Sequence, residues 1–424
     1  MSFAQRFKEI REGFQRPFWV ANGTELFERL AYYGPSAVMA IYLHEHLGLT
    51  VEQSAWLIGY YGFIVWFMPV VGGALADRYG FRRTLVGAFL ILTVGYFLLG
   101  SLSASWMAPV RQALPLFALM HILMLVPALG PAVVKPVVVG TTARAAAENV
   151  RSVGYSIYYT VVNIGAAIGP IAASFVRTSV GVENVFLVSA GLTFAMAIVT
   201  LLFYQEPDRL NEPQTASVAA AFGNLVKVLG NGRFVLFLLI FSGFWVTFWQ
   251  QYISLPIYVR DYVNRDANID RLLAVEATTV ILTTFLATYL MRKVPAFTAI
   301  IVGVLLSSLS WLILTQGSST PYIVAALIVL ALGEVTQAPR YYEYMSRLAP
   351  PGQQGLFMGY AFLPIGIGYL IGGRTAGWML HYFGEVLHRP ALMWYAVSGM
   401  GLLTGALLIV YDRFVQPRAA ENRG

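Results

Sequence analysis

Cysteine is absent from all 424 residues, which removes disulfide frameworks, thiol catalysis and thiolate metal sites together. Charge is scarce as well, at 12% Asp, Glu, Lys and Arg against 58% hydrophobic residues. An ordinary soluble domain carries about 25% charged residues, so the balance excludes a soluble enzyme and fits a chain that crosses a membrane many times. At bilayer depth no His, Asp and Ser are spaced as a nucleophile with its base or as a metal cluster, so an enzyme is not expected, nor any metal or organic cofactor. A cleavable signal peptide is also missing. Instead Phe3, Phe7, Ile10 and Phe14 fall on one helical face, with Arg6, Lys8 and Arg11 elsewhere, the pattern of a helix lying on a membrane surface.

What is present is a set of twelve apolar segments of spanning length. They run approximately 18–43, 55–76, 84–103, 114–140, 152–176 and 184–204, then 234–258, 271–291, 296–316, 321–345, 355–380 and 390–412. The chain therefore divides into an amphipathic N-terminal segment (1–17), a first six-helix bundle (18–204), a polar linker (205–233), a second six-helix bundle (234–412) and a tail (413–424). The linker opens with QEPDRLNEPQ, and Phe222, Leu225, Val226 and Leu229 give its second half an amphipathic helical pattern. The expected fold class is an all-α polytopic membrane protein with two pseudo-symmetric halves, which implies a transporter whose substrate site lies between them. The formal charge of +7 could suggest nucleic acid, but its distribution argues for topology. With both termini cytoplasmic, about eighteen Lys and Arg fall in inner loops and tails against about six outside, as the positive-inside rule requires. Nucleic acid is excluded as a partner, and a multi-pass inner-membrane monomer surrounded by lipid is expected.

The most informative stretch is 22–34, NGTELFERLAYYG. From Glu25, the offsets to Glu28, Arg29, Tyr32 and Tyr33 are 3, 4, 7 and 8, so all five share one helical stripe. Ionisable groups at bilayer depth mark a functional site by default. The alternative is an ion-pair knot between helices, although a knot needs one acid per base and this stripe has an acid to spare. Further along, GGALADRYGFRRT at 72–84 places glycines for close helix approach beside Asp77 and Arg78, which can pair across a moving interface. In the fourth span Lys135 stands between Pro131 and Pro136. It needs either a carboxylate partner or a route for its stem to snorkel inward. The fifth span spaces Tyr155, Tyr159 and Asn163 by four on one face, for ligand contact or for interhelical hydrogen bonding, followed by small residues Gly165, Ala166, Ala167 and Gly169. In the tenth span Arg340 and Glu343 lie three apart and can pair, at an inner gate or simply at the membrane edge.

These residues carry a resemblance. ELFERLAYYG is similar to the ExxERFxYYG signature of the proton-dependent oligopeptide transporter family, within the major facilitator superfamily. The likeness continues through the 72–84 loop, Lys135–Pro136, YTVVNIGA, FWVTFWQQ, LGEVTQAP and LAPPGQQGLFMGYAFLPIGIGYLIGG, covering nearly the whole chain. The resemblance implies the major facilitator fold and symport of small peptides driven by a proton gradient. It implies that Arg29, Tyr33 and Lys135 hold the peptide carboxylate and that Asn163 and Glu334 hold the amine; Tyr32 and Tyr159 are further substrate-contact candidates from their helical spacing. A zwitterion of roughly 5–7 Å span suits opposite charges at the two ends of such a site.

The chain also departs from the family pattern. Gln250–Gln251 stands where the family has a glutamate before a glutamine, and Glu276 occupies the eighth span where asparagine is usual. Gln250 cannot titrate, so the coupling acid is expected among Glu25, Glu28, Glu276 and Glu334. Glu25 and Glu28 are the preferred pair, since a substrate carboxylate would compete with them for Arg29. Asp77, Arg78, Arg340 and Glu343 are the expected gating residues. The expected function is proton-coupled symport of di- and tripeptides or related zwitterionic or anionic solutes. The alternative is a proton-coupled exporter or exchanger of an amphipathic or lipid-like substrate.

Overall fold

The structure is a computed structural model that describes residues 12–207 and 230–415, apart from 292, 318 and 349–359. Most of the N-terminal surface helix, the amphipathic half of the linker and most of the tail therefore lie outside the described residues. Those described are almost wholly helical, with a lone bridge between Phe14 and Ala146. By contact clustering they form two units: residues 1–221 with 268–274, and residues 222–267 with 275–424.

In the first unit, α1 (Arg16–Ile41) has Pro17 in its opening turn, where a missing N–H costs no helical bond, and relaxes into a π-turn at Tyr42–His46. A capping box then starts α2 (Val51–Phe67): Thr50 Oγ1 accepts from Gln53 N and Gln53 Oε1 accepts from Thr50 N, both at 3.2 Å. The span breaks at Met68, and Pro69 opens α3 (Pro69–Tyr79). Gly80, at φ 89°, turns the chain into α4 (Phe81–Gly100). The first N–H groups of α4 have no partners within the helix. Glu206 supplies them, its two carboxylate oxygens accepting from Phe81 N at 3.1 Å and Arg82 N at 2.8 Å. A short α5 (Ala108–Ala113) leads into α6 (Leu116–Ala145), which contains Pro127, Pro131 and Pro136. The unit is completed by α7 (Arg151–Val180) and α8 (Glu183–Phe203).

Helix α1 packs chiefly on α7 and α8, α4 on α8 and α6, and both α2 and α3 on α6. The α1–α7 approach depends on Gly165: a Cβ there would lie 2.3 Å from Arg29 Cβ. Phe14, expected at the membrane surface, is buried instead. It stacks on Phe18 at 4.0 Å in a cluster with Ala145, Ala146 and Val150, because Gln15 N and the carbonyl of Gly13 bond to the backbone at the end of α6.

The second unit contains α9 (Gly232–Phe248) and α10 (Gln250–Tyr262), one span broken at Trp249. It continues with α11 (Ile269–Met291, whose first turns group with the first unit), α12 (Ala296–Ser310), α13 (Ile313–Gln316), α14 (Thr320–Leu348), α15 (Leu363–Met379) and α16 (Met393–Phe414). Its core is aromatic: Phe241 stacks on Tyr341 at 4.2 Å, Trp249 on Tyr369 at 3.9 Å and Trp311 on Trp394 at 4.9 Å. Among the described residues, eight helices are long and apolar enough to cross a membrane. The remaining four spans include α1, whose three central ionisable residues lower its apolar score, and the broken α2–α3 segment. Twelve spans in two six-helix sets thus account for the polytopic fold.

Candidate functional site

The stripe on α1 folds into a buried charge cluster. Glu25, Glu28 and Arg29 are at most 1% exposed. Arg29 Nε donates to Glu28 Oε2 at 2.5 Å, and Arg29 Nη2 also contacts that oxygen. Glu25 Oε1 lies 3.2 Å from Arg29 Nε as an ion pair. Two acids therefore close on one base within a single helix, as the i, i+4 and adjacent positions allow. Acceptor capacity remains, since Glu28 Oε1 and both Glu25 oxygens accept no hydrogen bond. The Arg29 guanidinium also lies 5.2 Å from the Tyr32 ring centroid, and Tyr32 meets Tyr33 edge-on at 5.1 Å.

Lys135 comes to this cluster from α6 and feels the charges of Arg29, Glu28 and Glu25. Its ammonium is shielded from solvent, has no hydrogen-bond partner, and sits 3.2 Å over the ring of Trp66 from α2. The prolines beside it exempt this part of α6 from a regular hydrogen-bond ladder, leaving room for a charged side chain among apolar neighbours.

On α7 the structure selects a residue that the spacing did not. Tyr159 is 48% exposed and Tyr155 39%, and Asn163 Nδ2 donates to the Tyr159 carbonyl at 2.8 Å within its own helix. Tyr158 joins the α1 cluster, lying within electrostatic reach of Glu25, Arg29 and Glu28. Seven residues separate Tyr158 from Gly165, two helical turns, so the tyrosine shares the face that packs on α1. That heptad relation between a tyrosine and a helix-contact glycine is the signal available in the sequence.

Glu334 of α14 lies in the second unit, where its charged neighbour is Glu276 of α11. Gln250 is fully buried and engaged. Its Nε2 donates to the carbonyls of Val246 at 2.8 Å and Gly372 at 3.3 Å, and its Oε1 accepts from Ser254 Oγ, which makes it a joint between α9–α10 and α15. Gln251 is also fully buried, but its amide has no partner. Arg340 Nη1 bonds Glu343 Oε2 at 2.7 Å, and Arg340 Nη2 donates to the Met291 carbonyl of α11. Arg78 is exposed, 5.3 Å over the ring of Tyr79, whereas the Asp77 side chain lies outside the described residues.

The site so built is a set of buried opposite charges inside a helix bundle, in which the Lys135 ammonium makes no hydrogen bond to the protein. Comparison with known proteins agrees with a transporter. Multidrug resistance protein MdtH from Aeromonas salmonicida (strain A449) is 25% identical over 368 residues, covering 85% of this chain and 88% of that protein. The protein of the same name from Escherichia coli O157:H7 is 21% identical over 401 residues, 93% of each. Among solved structures, a POT family transporter in complex with a thioalcohol-conjugated peptide superposes with a TM-score of 0.77 at 16% identity, over 95% of this chain and 99% of that one. A POT family transporter in complex with 5-aminolevulinic acid gives 0.75 at 16% identity, over 94% and 96%. These likenesses establish a shared fold. The family model described as Major Facilitator Superfamily matches residues 24–269, more than half of the chain. The chain is a multi-pass membrane transporter and belongs to the Major Facilitator Superfamily.

Proposed function

We propose that the protein is a proton-coupled secondary transporter of the inner membrane, with both termini cytoplasmic, and that it moves small zwitterionic or anionic solutes, di- and tripeptides first. The observation that carries this reading is Lys135, an ammonium shut away from solvent with no hydrogen-bond partner and within reach of the Glu25–Glu28–Arg29 cluster. A charged donor left unsatisfied in an apolar site costs the full desolvation of the group, and an anionic group on a substrate removes that cost. Arg29 is already engaged by two acids, so the substrate carboxylate pairs first with Lys135 and then competes for Arg29. Solved structures that share the fold are titled as complexes with a peptide conjugate and with 5-aminolevulinic acid, which supports a solute of this chemistry. Arg340, Glu343, Asp77 and Arg78 take the gating role, and the transporter acts as a monomer.

The second reading, export of an amphipathic compound, is favoured by one specific observation: sequence relatives at 21–25% identity are named multidrug resistance proteins. Proteoliposomes separate the two. With the outside acidified, labelled dialanine should accumulate in vesicles holding the wild-type protein and collapse on addition of a protonophore. Extrusion of an amphipathic dye without any dialanine uptake would replace the first reading with the second.

A further inference from the structure

Two carboxyl groups meet in the second unit with no base beside them among the described residues. Glu276 lies two turns into α11 and is 5% exposed, and Glu334 lies midway along α14. Val280, one turn beyond Glu276, packs with Ala331 and Val335, which flank Glu334, so an apolar contact joins the two helices beside the acids. The two carboxyl groups lie within electrostatic reach of each other, and Glu334 Oε2 is buried with no hydrogen-bond partner. Two carboxylates buried side by side disfavour each other's ionised form. A proton held between them leaves one negative charge instead of two.

The neighbouring charges leave this pair alone. On α11, Asp270 is held by Arg177 Nε at 2.8 Å, and Arg271 is exposed. On α14, Arg340 is occupied by Glu343 and the Met291 carbonyl. The first unit differs, because there both acids close on Arg29 as a standing counter-charge.

We propose that Glu276 and Glu334 form a single proton-carrying site and that this site, in place of Glu25 and Glu28, couples the proton gradient to transport; the coupling role rests on the proton-driven reading above. One proton entering from the acidic side closes an O–H···O bridge between the two carboxyl groups. Its release to water on the other side leaves two carboxylates that repel each other across the α11–α14 contact. Loading and unloading thus change the contact between two helices that also bear Met291 and Arg340, a second contact between α11 and α14.

The test begins without any substrate. Infrared titration of the full-length protein in lipid vesicles should show a protonated-carboxyl carbonyl band that either Glu276→Gln or Glu334→Gln removes, while Glu276→Asp shifts it and keeps it. In acid-outside vesicles, dialanine accumulation should fall at least tenfold in the Glu276→Gln variant while counterflow exchange of dialanine persists. A band unchanged in both Gln variants overturns the proposal, as does full uphill accumulation by the Glu276→Gln variant. Wild-type vesicles that show the band but never accumulate dialanine would sink the peptide reading while supporting the proton site.

Discussion

Arg29 is the residue whose removal the structure prices most clearly. Arg29→Met takes the base away from Glu25 and Glu28, whose side chains are fully enclosed in the fold. Breaking a buried ion pair by deleting one partner costs about 3–5 kcal/mol, because the remaining charge keeps its desolvation penalty. Here two acids are stranded by one deletion, which puts the cost at the upper end. The lost contact with the Tyr32 ring at 5.2 Å adds up to about 1 kcal/mol. At roughly 2–4 °C per kcal/mol for a folded unit of 150–250 residues, a cost of about 5–6 kcal/mol should lower the thermal midpoint by roughly 10–24 °C. The measurement is thermal unfolding in detergent at a fixed scan rate, since unfolding of such a protein is governed by rate. A second variant isolates the cause. Arg29→Met combined with Glu25→Gln and Glu28→Gln leaves no stranded charge and should recover most of the lost stability. A midpoint within about 2 °C of wild type for the single variant, or a triple variant no better than the single, would refute the argument that charge pairing holds this cluster together.

Two further outcomes follow from the same geometry. Lys135→Met should raise the KM for dialanine roughly 10–100-fold, the worth of a charge-assisted hydrogen bond of about 1.5–3 kcal/mol; an unaltered KM in vesicle uptake would remove Lys135 from the site. Gly165→Val should destabilise by about 1–3 kcal/mol through overpacking against Arg29, whereas Gly191→Ala, where an added Cβ meets nothing within 4 Å, should be neutral or stabilise by up to about 1 kcal/mol in the same melting assay.

The fold was largely legible because the bilayer imposes length and apolarity on every span, and these are properties of single segments. The α1 stripe was legible for a similar reason, since the period of a helix brings Glu25, Glu28 and Arg29 together without help from any other element. Contacts between spans were not. The run YSIYYT offers three tyrosines, and the packing of Gly165 on Arg29 is what brings Tyr158 toward the charges of α1. The meeting of Glu276 with Glu334 depends on the relative heights of α11 and α14, which no local pattern encodes. Phe14 shows the converse error. Its place on an amphipathic pattern suggested lipid, yet its neighbours' backbone bonds to the end of α6 carry it into the protein.

The confinement of the charge cluster to one helix also bears on how the protein enters its membrane. A single acidic or basic residue at the centre of a spanning helix opposes insertion by about 2.5–3.5 kcal/mol, so three acting independently would hold the first span at the translocation channel. Glu25 and Glu28 close on Arg29 from the same helix, so their neutralisation needs no later span and travels with the segment as it partitions into lipid. The helix enters with one uncompensated carboxylate, and Lys135 can meet that residual charge only after α6 has been synthesised. The spare acid is then a delayed docking signal, drawing the fourth span to the first during biogenesis before it serves any solute.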